Sequence, residues 1–406
     1  MKNRKDSDTT KHSSQTTHSG QKSDSGELRV QDLGRHHHSS RIITASVMLF
    51  VMILLTCGVY FSFFDSSNET KASNVSPLFH SEERKVYDPV LPDKAVKLPA
   101  DFQLHPDFQH EWWHYFASVV DADGQEYGIQ WSYFRVATDE RETSGWQSPQ
   151  LYIANVVISS GTTTWKEQRL ARGGIGQAGM RNRPFRIWLD NWSWRSLSST
   201  PFPGLLDVQS DEFGMVLTSK TIGPYVLNGD KGYQIKHDLL PIASYSFSAP
   251  FLSVQGQLRL EGQPAFAVKG KAWLNKEWGS ALLAEGRRGW DWFVFDLDDG
   301  RTLSVTQSRH DQQLPYTYGT LADRSGKVIS LSDSDISITP LNTSTLPNGR
   351  RLPLQWSIEV PESNIKLMTK VVRRDMWLPF VIPYWEGPVS ASGSHEAKGF
   401  MQLTGY

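Results

Sequence analysis

From about residue 98 onward, apolar and polar positions alternate in short stretches with a period of two, broken by frequent Gly and Asp-Gly pairs, with few runs at helical spacing. That pattern predicts an all-β sandwich or barrel. One segment occurs twice: Trp113-His114-Tyr115-Phe116 leads to Asp123-Gly124, and Trp290-Asp291-Trp292-Phe293 leads to Asp299-Gly300. Each Asp-Gly pair is a hairpin turn signal. The returning strands match as well. Tyr127, Ile129, Trp131 and Tyr133 share a face and end at Arg135, while Leu303, Val305 and Gln307 share a face and end at Arg309.

Counting back from the turns sets Arg135 near-opposite Glu111 and Trp112, and Arg309 near-opposite Trp290 and Asp291. By alternation Glu111 shares a face with Trp113 and Tyr115, and Asp291 with Phe293 and Phe295. Carboxylates in such company either pair with a cation or keep a raised pKa. The nearby arginines favour the structural pairs Glu111 with Arg135 and Asp291 with Arg309. The duplicated hairpin predicts two tandem lipocalin-sized units, 98–265 and 266–406, with a seam near Glu261-Gly262-Gln263-Pro264.

The first hundred residues are of another kind. Ile42 to Phe64 is a 23-residue run without a charged side chain, and about 20 apolar residues cross a bilayer as a helix. Arg29, Arg35 and Arg41 precede it and Asp65 and Glu69 follow. This bias predicts a single-pass inner-membrane protein with a cytoplasmic N-terminus and an exported, periplasmic or extracellular body. A cleavable signal peptide fits less well, because the leader is long and no small-x-small site follows. A lipid-modified Cys57 fits less well too, since Thr56 precedes it and the apolar run continues. Residues 1–41 have the composition of a disordered leader, within which His36, His37 and His38 read as a solvated run rather than a metal site. Residues 65–97, rich in proline, read as a stalk.

Lys plus Arg total 42 against 43 Asp plus Glu, a balance that gives nucleic acid no basic face to bind. Cys57 is the only cysteine, so disulfides within the chain and multi-cysteine metal sites are excluded. All 15 tryptophans fall between Trp112 and Trp385.

Several blocks together resemble the AttH / CrtC carotenoid 1,2-hydratase (hydroxyneurosporene synthase) family. They are His105-Pro106-Asp107-Phe108-Gln109-His110-Glu111-Trp112-Trp113-His114-Tyr115, Ala272-Trp273-Leu274-Asn275-Lys276-Glu277-Trp278-Gly279-Ser280, Gly289-Trp290-Asp291-Trp292-Phe293, Tyr384-Trp385-Glu386-Gly387 and Leu403-Thr404-Gly405-Tyr406. The resemblance covers roughly residues 98 to 406. It implies two lipocalin-like barrels or half-barrels, and an exported protein associated with an ABC-transporter permease. In the carotenoid branch it implies cofactor-free addition of water to an isoprenoid double bond, an acid protonating the alkene beside aromatic faces. Asp291 and Glu277 are the acids so placed, with His114 a weaker third candidate. Trp112, Trp113, Trp273, Trp278, Trp290, Trp292 and Trp385 are the candidate ligand-binding aromatics. The family's second block usually reads Asp-His-Glu-Trp, where this chain has Asn275-Lys276-Glu277-Trp278.

No nucleophile elbow, zincin helix, P-loop or dinucleotide fingerprint occurs. His105, His110 and His114 cluster with Glu111 at strand-like spacing, but His110 and His114 fall on one strand face and Glu111 on the other, which makes a metal site weak, and Gly173 to Gly179 reads as a wide loop. Two functions follow. One is a membrane-tethered carrier of an apolar lipid or isoprenoid ligand, without metal or cofactor; the other is a hydratase or hydrolase acting on such a ligand. The altered second block favours the carrier.

Overall fold

Period-two segments become strands throughout. The computed structural model describes residues 87–138, 145–280 and 286–406. The expected leader and membrane span lie outside these residues, as does most of the stalk. Among the described residues no helix is long and apolar enough to cross a membrane.

The first unit contributes β1 (His110–Val120), β2 (Glu126–Ala137), β3 (Gln150–Ser159), β4 (Thr164–Arg172), β5 (Ala178–Asn182), β6 (Phe185–Leu189), β7 (Trp192–Arg195), β8 (Gly204–Gln209), β9 (Phe213–Thr221), β10 (Val226–Leu227), β11 (Tyr233–Ile235), β12 (Ala243–Leu260) and β13 (Phe266–Gly279). The second contributes β14 (Arg287–Leu297), β15 (Thr302–His310), β16 (Tyr316–Ala322), β17 (Val328–Leu331), β18 (Ser337–Thr345), β19 (Arg351–Val360), β20 (Ile365–Val371), β21 (Trp377–Leu378), β22 (Tyr384–Gly393) and β23 (Ala397–Thr404).

The sheets have the same plan. One runs β4-β3-β2-β1-β13-β12-β9-β8-β7-β6-β5, the other β17-β16-β15-β14-β23-β22-β20-β19-β18. In each, the unit's first strand pairs antiparallel with its last, which sets both in the middle of the sheet and leaves β4 and β5, or β17 and β18, as its edges. The first sheet curls nearly into a barrel: the guanidinium of Arg169 on β4 lies 4.1 Å over the Trp192 ring on β7 and donates to Asn191. The second is a half-barrel. This is the lipocalin-like architecture that the duplicated pattern predicts.

The seam is elsewhere than expected. Residues 261–265 form the turn of the β12–β13 hairpin, and β13 belongs to the first sheet, paired along its length with β1 and β12. The chain passes to the second sheet only between Gly279 and Arg287. Composition could not show this, because the strand that closes a barrel carries the same alternation as one that opens it. The end of the expected stalk is also part of the first unit. Tyr245 Oη accepts from the Leu91 amide at 2.8 Å, and Val96 is buried.

Both predicted hairpins form, with Gly124 (φ 82°) and Gly300 (φ 84°) in the left-handed region their turns require. Glu111 lies directly across from Arg135. A bulge between Arg287 and Gly289 shifts the second hairpin, so Arg309 faces Gly289 and Asp291 faces Gln307. The units pack by the outer faces of β1, β13, β14 and β23. Phe116, Trp273, Val294 and Phe400 form the contact, the Phe116 and Phe400 rings stacking 4.7 Å apart.

Candidate functional site

Strands β1, β13 and β14 are covered on both faces, so alternation sorts their side chains between a barrel interior and the seam. On β1, Trp113 and Tyr115 join the first core, whereas Trp112 and His114 face the second unit. On β13, Leu274 and Trp278 point inward and Asn275 and Glu277 outward. On β14, Phe293 and Phe295 fill the second core while Trp290 and Trp292 face β1.

Beside the apolar contact the facing sheets part to leave a narrow, partly open cleft. One wall is aromatic: Trp112 and Trp290 meet at 5.9 Å, His114 and Trp292 at 5.4 Å. The other wall is polar. Lys236 Nζ lies 2.7 Å from Glu277 Oε1 and donates to Tyr318 Oη at 3.2 Å. Burial opposes the Lys236 charge, yet Glu277 and Tyr318 outweigh it and raise its pKa above the ordinary lysine value. Asn228 Nδ2 donates to Ser246 Oγ (2.7 Å), Ser248 Oγ (3.0 Å) and Asn275 Oδ1 (3.2 Å), which fixes the polar floor.

His114 joins the units chemically. Its Nε2 lies 2.8 Å from Glu386 Oε1 on β22, both side chains 1% exposed. Glu386 Oε1 also accepts from Gln402 Nε2 at 3.0 Å, and Gln402 Oε1 accepts from Trp290 Nε1 at 2.6 Å. Hydrogen bonds thus run from Trp290 through Gln402 to Glu386, whose carboxylate lies against the His114 ring across the seam.

Two further ionic clusters sit inside the barrels. In the first, Lys276 Nζ lies 2.8 Å from Glu111 Oε1 and donates to the Asp101 carbonyl at 2.8 Å. Arg135 donates to the His105 and Phe108 carbonyls, both at 2.8 Å, and lies 3.8 Å from Glu111. In the second, Asp291 Oδ1 accepts from Tyr406 Oη at 2.9 Å and faces Arg309 Nη2 at 3.5 Å. Burial pushes the Asp291 carboxyl up to about 6, with Arg309 and Tyr406 pulling the other way.

The family profile of AttH-like proteins matches residues 89–406, most of the chain. The chain belongs to the AttH-like family. Its fold is similar to that of a crystal structure described as an AttH from Nitrosomonas europaea, at TM-score 0.70 and 28% identity over 79% of this chain and 99% of that one. It is also similar to kievitone hydratase from Nectria haematococca, at TM-score 0.58 and 15% identity over 82% and 98% of the two chains. No curated protein sequence matches it significantly.

In this AttH-like chain the predicted site residues divide by strand face. Glu277 and His114 line the cleft, whereas Asp291 is fully buried in the second barrel and does not reach it. Of the seven tryptophans, Trp112, Trp290 and Trp292 line the cleft. Trp273 packs in the seam, Trp113 and Trp278 belong to the first core, and Trp385 to the second. Both structural pairs form, Glu111 with Arg135 and Asp291 with Arg309. His105 lies in the first barrel, stacked on Trp278 at 4.0 Å, on the opposite side of β1 from His114.

The Asn275-Lys276 departure now has a physical meaning. Position 276 faces the barrel interior, so only position 275 changes the cleft. Sequence reasoning missed Lys236, Tyr318, Asn228 and Arg287 as cleft residues, since nothing in the local pattern marks them. Glu386 carried a signal, its place in the Tyr384-Trp385-Glu386-Gly387 block.

Proposed function

We propose that this AttH-like chain binds a largely apolar small molecule bearing one polar group, a lipid or isoprenoid, in the cleft between its two units. The observation that carries this reading is the cleft's division into an aromatic wall of Trp112, Trp290 and Trp292 and a polar cluster of Glu277, Lys236 and Tyr318. Aromatic faces remove an apolar body from water, and a few fixed polar groups orient its head. In this reading Ile42–Phe64 tethers the chain to the membrane and the body lies on the non-cytoplasmic side. The test is extraction and mass spectrometry of small molecules from the purified full chain, beside W112A and W290A. A discrete ligand lost from both variants is expected; no ligand, or equal retention by all three, ends the carrier reading.

A second reading, cofactor-independent hydration of such a ligand, is favoured by one observation: Glu277 and the His114–Glu386 pair face the same cleft. Adding water to a double bond needs one group to give a proton to carbon and another to take one from water. Turnover of the extracted ligand by the native chain, lost in E277Q and H114A while binding persists, would support it. Turnover unchanged in both variants would remove it.

A further inference from the structure

We propose that one end of the double barrel docks on the surface of a lipid bilayer, with the mouth of the cleft at that face. The strand registers define this end. His110 at the start of β1 lies across from Val136 near the end of β2 and from Gly279 at the end of β13, and Arg287 at the start of β14 lies across from His310 at the end of β15. The units are aligned there, because the His237 and His310 rings meet at 5.0 Å and the His237 and Tyr316 rings at 5.6 Å.

Four large apolar side chains among the described residues are more than two-thirds exposed: Leu197 103%, Leu314 85%, Trp146 77% and Leu239 71%. Three of them, Trp146, Leu239 and Leu314, stand on loops at this one end, after β2, before β12 and after β15. The opposite end differs in kind. Its hairpin tips, residues 121–125, 160–163, 261–265, 298–301 and 323–327, carry no exposed large apolar side chain. Scattered exposed leucines are ordinary on a soluble surface. Apolar tips gathered on one end of two separate units, with a bulky tryptophan among them, match what the interfacial zone of a bilayer accepts.

Two more features select a membrane as the occupant. Tyr87, the first described residue, donates from Oη to the Ala137 carbonyl at 3.1 Å, so the chain from the apolar run enters at this same end. Residues 65–86 between Phe64 and Tyr87 can span at most about 80 Å, which keeps that end within reach of whatever the run is embedded in. The lining of the cleft reaches this end: Trp112, Glu277, Arg287 and Tyr318 lie within two residues of the strand ends named above or of the start of β16. A lipid-like molecule leaving the bilayer would meet the cleft without crossing bulk water. The docking face stands independently of what the cleft binds.

The test uses the full chain on a C57S background, with a single cysteine placed in turn at Leu239, Leu314 or Thr162 and labelled with nitrobenzoxadiazole. Each labelled chain is mixed with protein-free vesicles of phosphatidylethanolamine and phosphatidylglycerol, with and without nitroxide lipid. These side chains are exposed, so folding is not at stake in the substitutions. Docking predicts blue-shifted emission and severalfold quenching by the nitroxide lipid at 239 and 314, with 162 at the opposite end unchanged. Labels at 239 and 314 that stay in water overturn the proposal even if the chain floats with the vesicles. Equal quenching at all three positions overturns it too, since it would mean non-specific adsorption.

Discussion

His114 Nε2 and Glu386 Oε1 lie 2.8 Å apart across the seam between the two units, and both side chains are withdrawn from water. A buried polar contact of this kind contributes little over an apolar one but costs much when half of it is removed. We therefore expect H114A and E386A each to destabilise the chain by about 2–4 kcal/mol, and the double variant to lose less than the sum. A denaturant-melt double-mutant cycle measures the coupling. Additive losses would show that the two groups do not act as a pair.

Asp291 gives a pH signature. Its carboxyl is raised from 3.8 to about 6 by burial, against Arg309 and Tyr406. A raised folded value means that the native state holds the proton more tightly than the unfolded chain. This contribution is therefore full below about pH 4 and is lost as pH rises through about 6. The amide introduced by D291N does not titrate. The stability of D291N relative to the native chain should rise by at most about 3 kcal/mol between pH 4 and pH 7. Thermal melts across that range check it. Ligand content should be unchanged in D291N, because the side chain does not reach the cleft.

The first barrel predicts the opposite slope. Burial disfavours the Glu111 charge, but Lys276, His105 and Arg135 overcome it and hold the carboxyl far below the usual range. A depressed folded value contributes stability above the unfolded value, near pH 4.5, and that stability is lost as pH falls toward the folded one. In K276M the nearest counter-charge is gone and Lys276's bonds to the Asp101 and Gln103 carbonyls go with it. The variant should lose about 3–5 kcal/mol at pH 7. Its stability should also depend less steeply on pH between about 2 and 4.5. An unchanged acid slope would assign the low Glu111 value to Arg135 instead.

How much of this was legible beforehand depends on which interaction set each position. Alternation and the two Asp-Gly turns fix the β class and both hairpins, because turn chemistry and period are local. Glu111 and Arg135 could be paired by counting, since β1 and β2 run in unbroken register. Arg309 slipped by one position because the bulge at Arg288 is invisible to counting. The faces of Asp291 and Glu277 could be separated from their neighbours but not assigned to core or cleft, since β13 and β14 are covered on both sides and carry apolar residues on each. Lys236, just after β11, and Tyr318 on β16 come to Glu277 through tertiary packing alone, which no spacing records.

That last cluster supplies the sharpest separation between structure and chemistry. Lys236 is buried and Glu277 is its nearest carboxylate, at 2.7 Å, with the Tyr318 hydroxyl beyond. E277Q leaves the buried Lys236 ammonium, with the Arg287 guanidinium acting on it as well, without its carboxylate, so the variant should be less stable than the native chain by about 3 kcal/mol. Adding K236M removes the ammonium, leaving only the Arg287 guanidinium, and should recover part of that loss. If Glu277 serves only to neutralise Lys236, the double variant regains whatever activity or binding E277Q lost. If Glu277 acts on a bound molecule, stability returns and function does not. Paired melts and ligand-extraction assays on the two variants distinguish these outcomes in a single series.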